Sequence, residues 1–119
     1  MKKTIKIGER EYFMKSSAYT QFKYRDETGR RLLDDIQKLS HLNDMTEDEQ
    51  ISQTDDLIEL LLRIAYIMIQ EADQSQVGTF EEFLSGIDAL FEETAWIYET
   101  LELAASPISR GLQGNPQNK

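Results

Sequence analysis

Three arginines crowd one glycine in the stretch YRDETGRRLL at residues 24–33, within a chain that is otherwise acidic. Arg25, Arg30 and Arg31 around Gly29 pose a choice between a pocket for an anion such as phosphate and a joint between two helices. The other residue types able to do chemistry are sparse. His41 is the single histidine, with only Asp44 and Glu47 close to it in sequence, and one imidazole without partners does not make a metal site. The segment Asp44–Asp55 resembles a calcium loop in its acids. It fails where Glu49 replaces the turn glycine and where the twelfth position lacks Glu. The chain has no cysteine, so thiolate ligands, thiol nucleophiles and disulfides are excluded. No serine stands in a G-x-S-x-G setting, and there is no second histidine to serve as a base. Gly8, Gly29 and Gly78 stand alone rather than in a phosphate-cradling loop. The adjacent pairs Glu81/Glu82 and Glu92/Glu93 would point about 100° apart on a helix, so they read as solvated charges and not as an acid/base pair. These residues predict neither an enzyme, a cofactor nor a metal.

The bulk properties narrow the class of partner. The 119 residues suit one domain. Thirteen Lys and Arg against 22 Asp and Glu give a net charge of −9, a field that opposes binding to nucleic acid or an anionic membrane and favours basic protein surfaces. The opening MKKTIKIGER lacks the apolar run of a signal peptide. The longest apolar stretch, Leu60–Ile69, is interrupted by Arg63 and is half the roughly 20 residues that span a bilayer. A reducing, cytoplasmic setting is the expectation, with no nucleic acid and no membrane.

The elements that must position these residues are mostly helical. Alternation in Thr4, Ile5, Lys6 and Ile7, then GERE, then Tyr12, Phe13 and Met14 predicts a β-hairpin over about 4–15. Ser16 or Ser17 caps a first helix of about 18–27, with Tyr19 and Phe22 as its inner face, and Gly29 stands where a left-handed residue ends it. A second helix over about 30–41 places Leu32, Ile36 and Leu39 on one stripe, with Arg30–Asp34, Arg31–Asp35 and Asp34–Lys38 paired at i, i+4. The joint reading of YRDETGRRLL follows from this arrangement.

Residues 41–54 form a polar, acidic connection with one short helical turn at TEDEQ. A long helix over about 55–73 follows, apolar except for a narrow stripe of Glu59, Arg63, Tyr66 and Gln70. Such a helix is central to a fold or reserves one side for a partner. Thr79 and Glu82 form a capping box. The helix they open breaks at Gly86, resumes at Asp88 with Leu90, Phe91, Trp96, Ile97, Leu101 and Leu103, and ends at Pro107. The expected architecture is mainly α with a short N-terminal β-hairpin, an α+β bundle of about four to five helices over 1–105, followed by a disordered tail over 106–119.

The order of these motifs resembles the small tail assembly chaperones of long-tailed phages and prophages of Gram-positive bacteria. In that family a Tyr-Arg pair precedes an aromatic-Gly pair, a basic residue, an acid and a short amphipathic helix. Tyr24, Arg25, Gly29 and Arg30 match, as do Leu32–Leu39 behind them, Ala65-Tyr66, and Phe80–Leu84. Thr28 stands where an aromatic is usual and Arg31 where an acid is usual. The resemblance spans about residues 5–103. It implies a non-enzymatic protein, made in the bacterial cytoplasm, that binds the tape measure protein and helps recruit tail tube protein. It also implies absence from the finished virion and, in many members, a longer frameshifted form. Apolar residues in excess of one helical face suggest Leu60, Ile67, Phe83, Phe91 and Trp96 as the partner-binding set, with self-association as a further use of that excess. The competing expectation from charge alone is an acidic regulator that mimics DNA or binds a basic protein.

Overall fold

A computed structural model of the chain describes residues 1–40, 47–90 and 94–113, with side chains described for 1–40, 56–90 and 94–108. The fold is mainly helical behind a two-stranded antiparallel hairpin, as the periodicities require. Strands β1 (Lys2–Ile7) and β2 (Arg10–Lys15) pair with Ile5 opposite Tyr12 and Ile7 opposite Arg10. The two-residue connection turns at Gly8, whose φ of +64° is open to glycine, and a Cβ there would meet the Ala89 carbonyl at 3.1 Å. Alternation sends Ile5, Ile7, Tyr12 and Met14 inward, where all four are buried. A lone hairpin is marginal in water, so this apolar face needs the helices behind it.

The chain then turns into α1 (Ala18–Thr28), capped by the Ser17 hydroxyl, which accepts from the Tyr19 N–H. Ser17 and Thr20 both donate side-chain hydrogen bonds to Glu71, at 2.5 and 2.7 Å, which ties the start of α1 to the far end of the central helix. α2 (Leu32–Ser40) buries Leu32, Ile36 and Leu39 on the expected stripe.

The central helix α3 (Glu47–Ala72) begins within the stretch expected to be a connection. Leu57, Ile58, Leu61, Leu62, Ile64, Ala65, Ile67, Met68 and Ile69 are all buried, because the hairpin, α1, α2, α4 (Phe80–Ser85) and α5 (Ala95–Gln113) surround it. Burying each such side chain contributes about 1.5–3 kcal/mol, which makes α3 the axis of the core. Its polar stripe is used as well. The Tyr66 hydroxyl donates to the Gly78 carbonyl at 2.7 Å and accepts from Gln70, and the Arg63 guanidinium lies 3.8 Å from the Phe80 ring centroid.

Three expectations are corrected. On α1 the inward residues are Thr20 and Tyr24, whereas Tyr19 and Phe22 are 54% and 62% exposed. Apolar residues do not collect on one side of this helix, so the hydrogen bonds of Thr20 and Tyr24 decide which side faces in. The Thr79–Glu82 capping box forms and α4 ends at Ser85, but the next helix starts at Ala95 and not at Asp88. Ahead of it, the Trp96 indole donates to the Leu90 carbonyl at 2.8 Å. Finally, α5 continues through Pro107 to Gln113 instead of ending there. Proline removes one intrahelical N–H, that which would pair with the Leu103 carbonyl, and the helix tolerates that loss.

Candidate interaction surface

The α1–α2 joint is built from the residues of YRDETGRRLL. Gly29 adopts φ +72°, and its N–H caps the Arg25 carbonyl at 2.8 Å, which stops α1 and reverses the chain. Thr28 brackets the turn: its hydroxyl donates to the Tyr24 carbonyl at 2.7 Å and accepts from the Arg30 N–H at 3.1 Å. Under this turn Asp35 is buried at 1% exposure. Arg30 grips it with both limbs of its guanidinium, Nε to Oδ2 at 2.8 Å and Nη2 to Oδ1 at 2.7 Å. The buried Tyr24 hydroxyl donates to the same carboxylate at 2.6 Å.

Burial by itself would push the Asp35 carboxyl up. The hydrogen bonds from Arg30 and Tyr24 and the charge of Arg30 outweigh burial and hold it below the ordinary carboxylate range. Burial, then the bond to Asp35, raises the Tyr24 phenol, and the Asp35 contact raises Arg30, so the triad is a carboxylate held between a neutral phenol and a guanidinium. Arg30 is therefore committed within the fold, and the joint reading of the stretch holds for it.

The pairing differs from the i, i+4 expectation. Arg30 bonds Asp35 and not Asp34, and Arg31 approaches Asp34 at 3.8 Å and not Asp35. Because α2 starts at Leu32, Arg30 lies outside the helix and i, i+4 spacing does not govern it, while Arg31 at the helix boundary, its carbonyl accepting from the Asp35 N–H, pairs at i, i+3.

The other two arginines face outward. The Arg25 side chain has no hydrogen-bond or ion-pair partner among the described residues. With Arg31 it borders a groove of about 230 Å³ lined also by Gln21 and Phe22 of α1, Leu32 and Leu33 of α2, and Ile108 of α5. Phe22 and Leu33 are large apolar side chains exposed at 62% and 37%, and Tyr19 lies three residues before Phe22 on α1. The chemistry available there is contact with an apolar surface beside two positive charges. Sequence reasoning placed Phe22 in the core, assigned Arg31 to the helix joint, and passed over Leu33 and Ile108 as site residues. The signal that could have found them is the exposed i, i+3 pair of Phe22 and Arg25 on a helix without an apolar face.

The five residues expected to form a partner-binding set are not brought together on a surface. Ile67, Phe83 and Trp96 are core side chains, 2%, 3% and 2% exposed. Phe83 packs edge-on against Tyr12, with ring centroids 5.5 Å apart. The apolar excess that motivated the set is consumed by the elements surrounding α3. Leu60 is partly buried beside a hollow of about 400 Å³, which it lines with Leu57 and the charged Arg30, Lys38, Asp56 and Glu59. Phe91 and His41 lie outside the described residues. Among the described residues, no three His, Asp or Glu side chains gather as a metal site, and no helix is long and apolar enough to cross a membrane. No family model matches the chain, and no curated protein or solved structure matches it.

Proposed function

We propose that the chain is a tail assembly chaperone of a long-tailed phage or prophage, a non-enzymatic protein of the host cytoplasm. It binds the helical tape measure protein, helps bring tail tube subunits to it, and departs before the particle is complete. The sequence basis is the motif order described above. The structural observation that carries the reading is the division of labour within that motif. Tyr24, Gly29 and Arg30 build the joint with Asp35, and the joint turns Phe22, Arg25, Arg31 and Leu33 outward as an apolar groove with a basic rim. A groove walled by helices suits temporary cover for an apolar helix on a partner.

The test is co-expression of this chain with the tape measure and tail tube proteins of the same phage. The expected outcome is that the tape measure protein stays in the soluble fraction and is captured through a tag on this chain, while purified virions lack the chain. A tape measure protein that aggregates equally with and without the chain would refute the proposal.

A further inference from the structure

We infer that the groove between α1, α2 and α5 receives a single amphipathic helix whose apolar stripe is flanked by acidic residues. The idea of a helical client rests on the chaperone reading; the charge of the client does not. Phe22, Leu33 and Ile108 supply the apolar contact. Neither arginine on the rim is committed to a buried carboxylate as Arg30 is. The Arg25 side chain has no hydrogen-bond or ion-pair partner among the described residues, and Arg31, 81% exposed, makes one long, solvent-exposed ion pair with Asp34 at 3.8 Å, which an incoming carboxylate can replace.

Net charge sharpens the choice. The chain carries −9, so an acidic helix is repelled by the surface in general, and the groove offers it two positive charges beside an apolar wall. A helix with basic flanks is drawn to the surface broadly and meets like charge at the groove. The combination penalises wrong partners and wrong positions together.

The backbone geometry argues for a helix rather than an added strand. The outer edge of β2 is already engaged: the Gln76 side-chain amide accepts from the Phe13 N–H at 2.8 Å and donates to the Phe13 carbonyl at 2.8 Å. That amide stands in for a neighbouring strand at this point of the edge. The groove itself is bounded by three helices and offers no strand to extend. The helix-in-groove mode, with apolar anchors at i, i+3, i+4 and i+7, fits this boundary.

The experiment uses the full chain and two stapled, fluorescein-labelled helical peptides with the same leucine stripe, one flanked by Glu and the other by Lys. Fluorescence anisotropy at low salt should show the Glu-flanked peptide binding about tenfold more tightly. The double substitution Arg25→Glu/Arg31→Glu should reverse that preference, and Phe22→Ser should weaken the Glu-flanked peptide about tenfold. All three sites are exposed, and circular dichroism of the variants should match the unaltered chain. Equal affinity for the two peptides, or a charge-reversed variant that still prefers Glu, overturns the inference. Binding that arises only after residues 114–119 are removed would assign the groove to the chain's own end and also overturn it. So would a concentration-dependent dimer abolished by Phe22→Ser, which would assign the groove to a second copy. The two proposals fail separately. Tape measure capture unaffected by Arg25→Glu/Arg31→Glu removes the groove and keeps the chaperone, whereas peptide discrimination without tape measure capture does the reverse.

Discussion

Arg30 and Arg25 lie five residues apart, on the two sides of Gly29, and the fold treats them in opposite ways. Arg30 places both limbs of its guanidinium on the buried carboxylate of Asp35, which also takes the Tyr24 hydroxyl. The Arg25 side chain points away from the core toward Phe22 and Leu33, with no hydrogen-bond or ion-pair partner among the described residues. The inner half of the joint is a polar network in which the buried Asp35 carboxylate accepts from Tyr24 and from both Nε and Nη2 of Arg30. The outer half is an exposed apolar groove beside Arg25 and Arg31, of which only Arg31 is ion-paired, and that loosely, with Asp34 at 3.8 Å. On the proposed reading, fold stability and recognition are divided between these two faces. The division predicts that substitutions on the inner face change stability, and that substitutions on the outer face change binding.

The largest effect falls on Asp35. Asp35→Ala leaves the buried Tyr24 hydroxyl without its acceptor, and it strips Arg30 of a bidentate partner. Removing one partner from a buried pair costs about 3–5 kcal/mol; Arg30 is itself partly exposed and can rehydrate, so about 3 kcal/mol is expected in urea denaturation. The same network sets a pH dependence. The folded Asp35 carboxyl is held below its ordinary value, so its contribution is present above the unfolded carboxylate value of about 4 and is lost as pH falls through the lower, folded value. Asp35→Asn keeps an acceptor for Tyr24 and removes this titration. The variant should be less stable than the unaltered chain at neutral pH, with a smaller further loss in acid. Parallel acid unfolding curves for the two proteins would show that the inner network does not behave as described.

Gly29 comes next. A Cβ added there meets nothing within 4 Å, so the cost of Gly29→Ala is that of a left-handed backbone alone. That cost is about 1 kcal/mol, and Asn, which tolerates the left-handed region better, should cost less. Urea midpoints for the two variants check the order. Ala and Asn of equal stability would mean that the joint does not depend on the φ of +72° observed at Gly29.

How much of this was legible in the sequence depended on whether a local rule governed the feature. Gly29 as a left-handed stop and Thr79 with Glu82 as a capping box are set by short-range backbone chemistry, and both stand as expected. The same holds for the hairpin, which the alternation predicted over about 4–15 and which forms from Lys2–Ile7 and Arg10–Lys15. Features decided by packing were not legible. Tyr19 and Phe22 are apolar and look internal, but α1 is turned by the bonds from Thr20 to Glu71 and from Tyr24 to Asp35, partners 51 and 11 residues away. The partner of Arg30 could not be found by counting i, i+4, because the start of α2 at Leu32 puts Arg30 outside the helix. On α3 the apolar excess looked like a spare face. It became core because so many elements converge on one helix, and Ile67, Phe83 and Trp96 went with it.

The smallest expected effects on stability carry the most information about recognition. Phe22→Ser, Leu33→Ser and Arg25→Ala should each shift the unfolding free energy by no more than about 0.5 kcal/mol, the range for surface sites away from buried networks. For Phe22 this is a sharp demand, since a phenylalanine truncated in a core costs about 3–5 kcal/mol. If Phe22→Ser costs more than about 1.5 kcal/mol, the ring is packed in solution, the groove is not open, and the outer face joins the inner one as structure. If it costs nothing while peptide binding falls, the aromatic ring at position 22 is present for a partner. The contrast between Arg30 and Arg25 then extends to their neighbours: Tyr24 holds the fold, and Phe22, two residues earlier on the same helix, serves what binds to it.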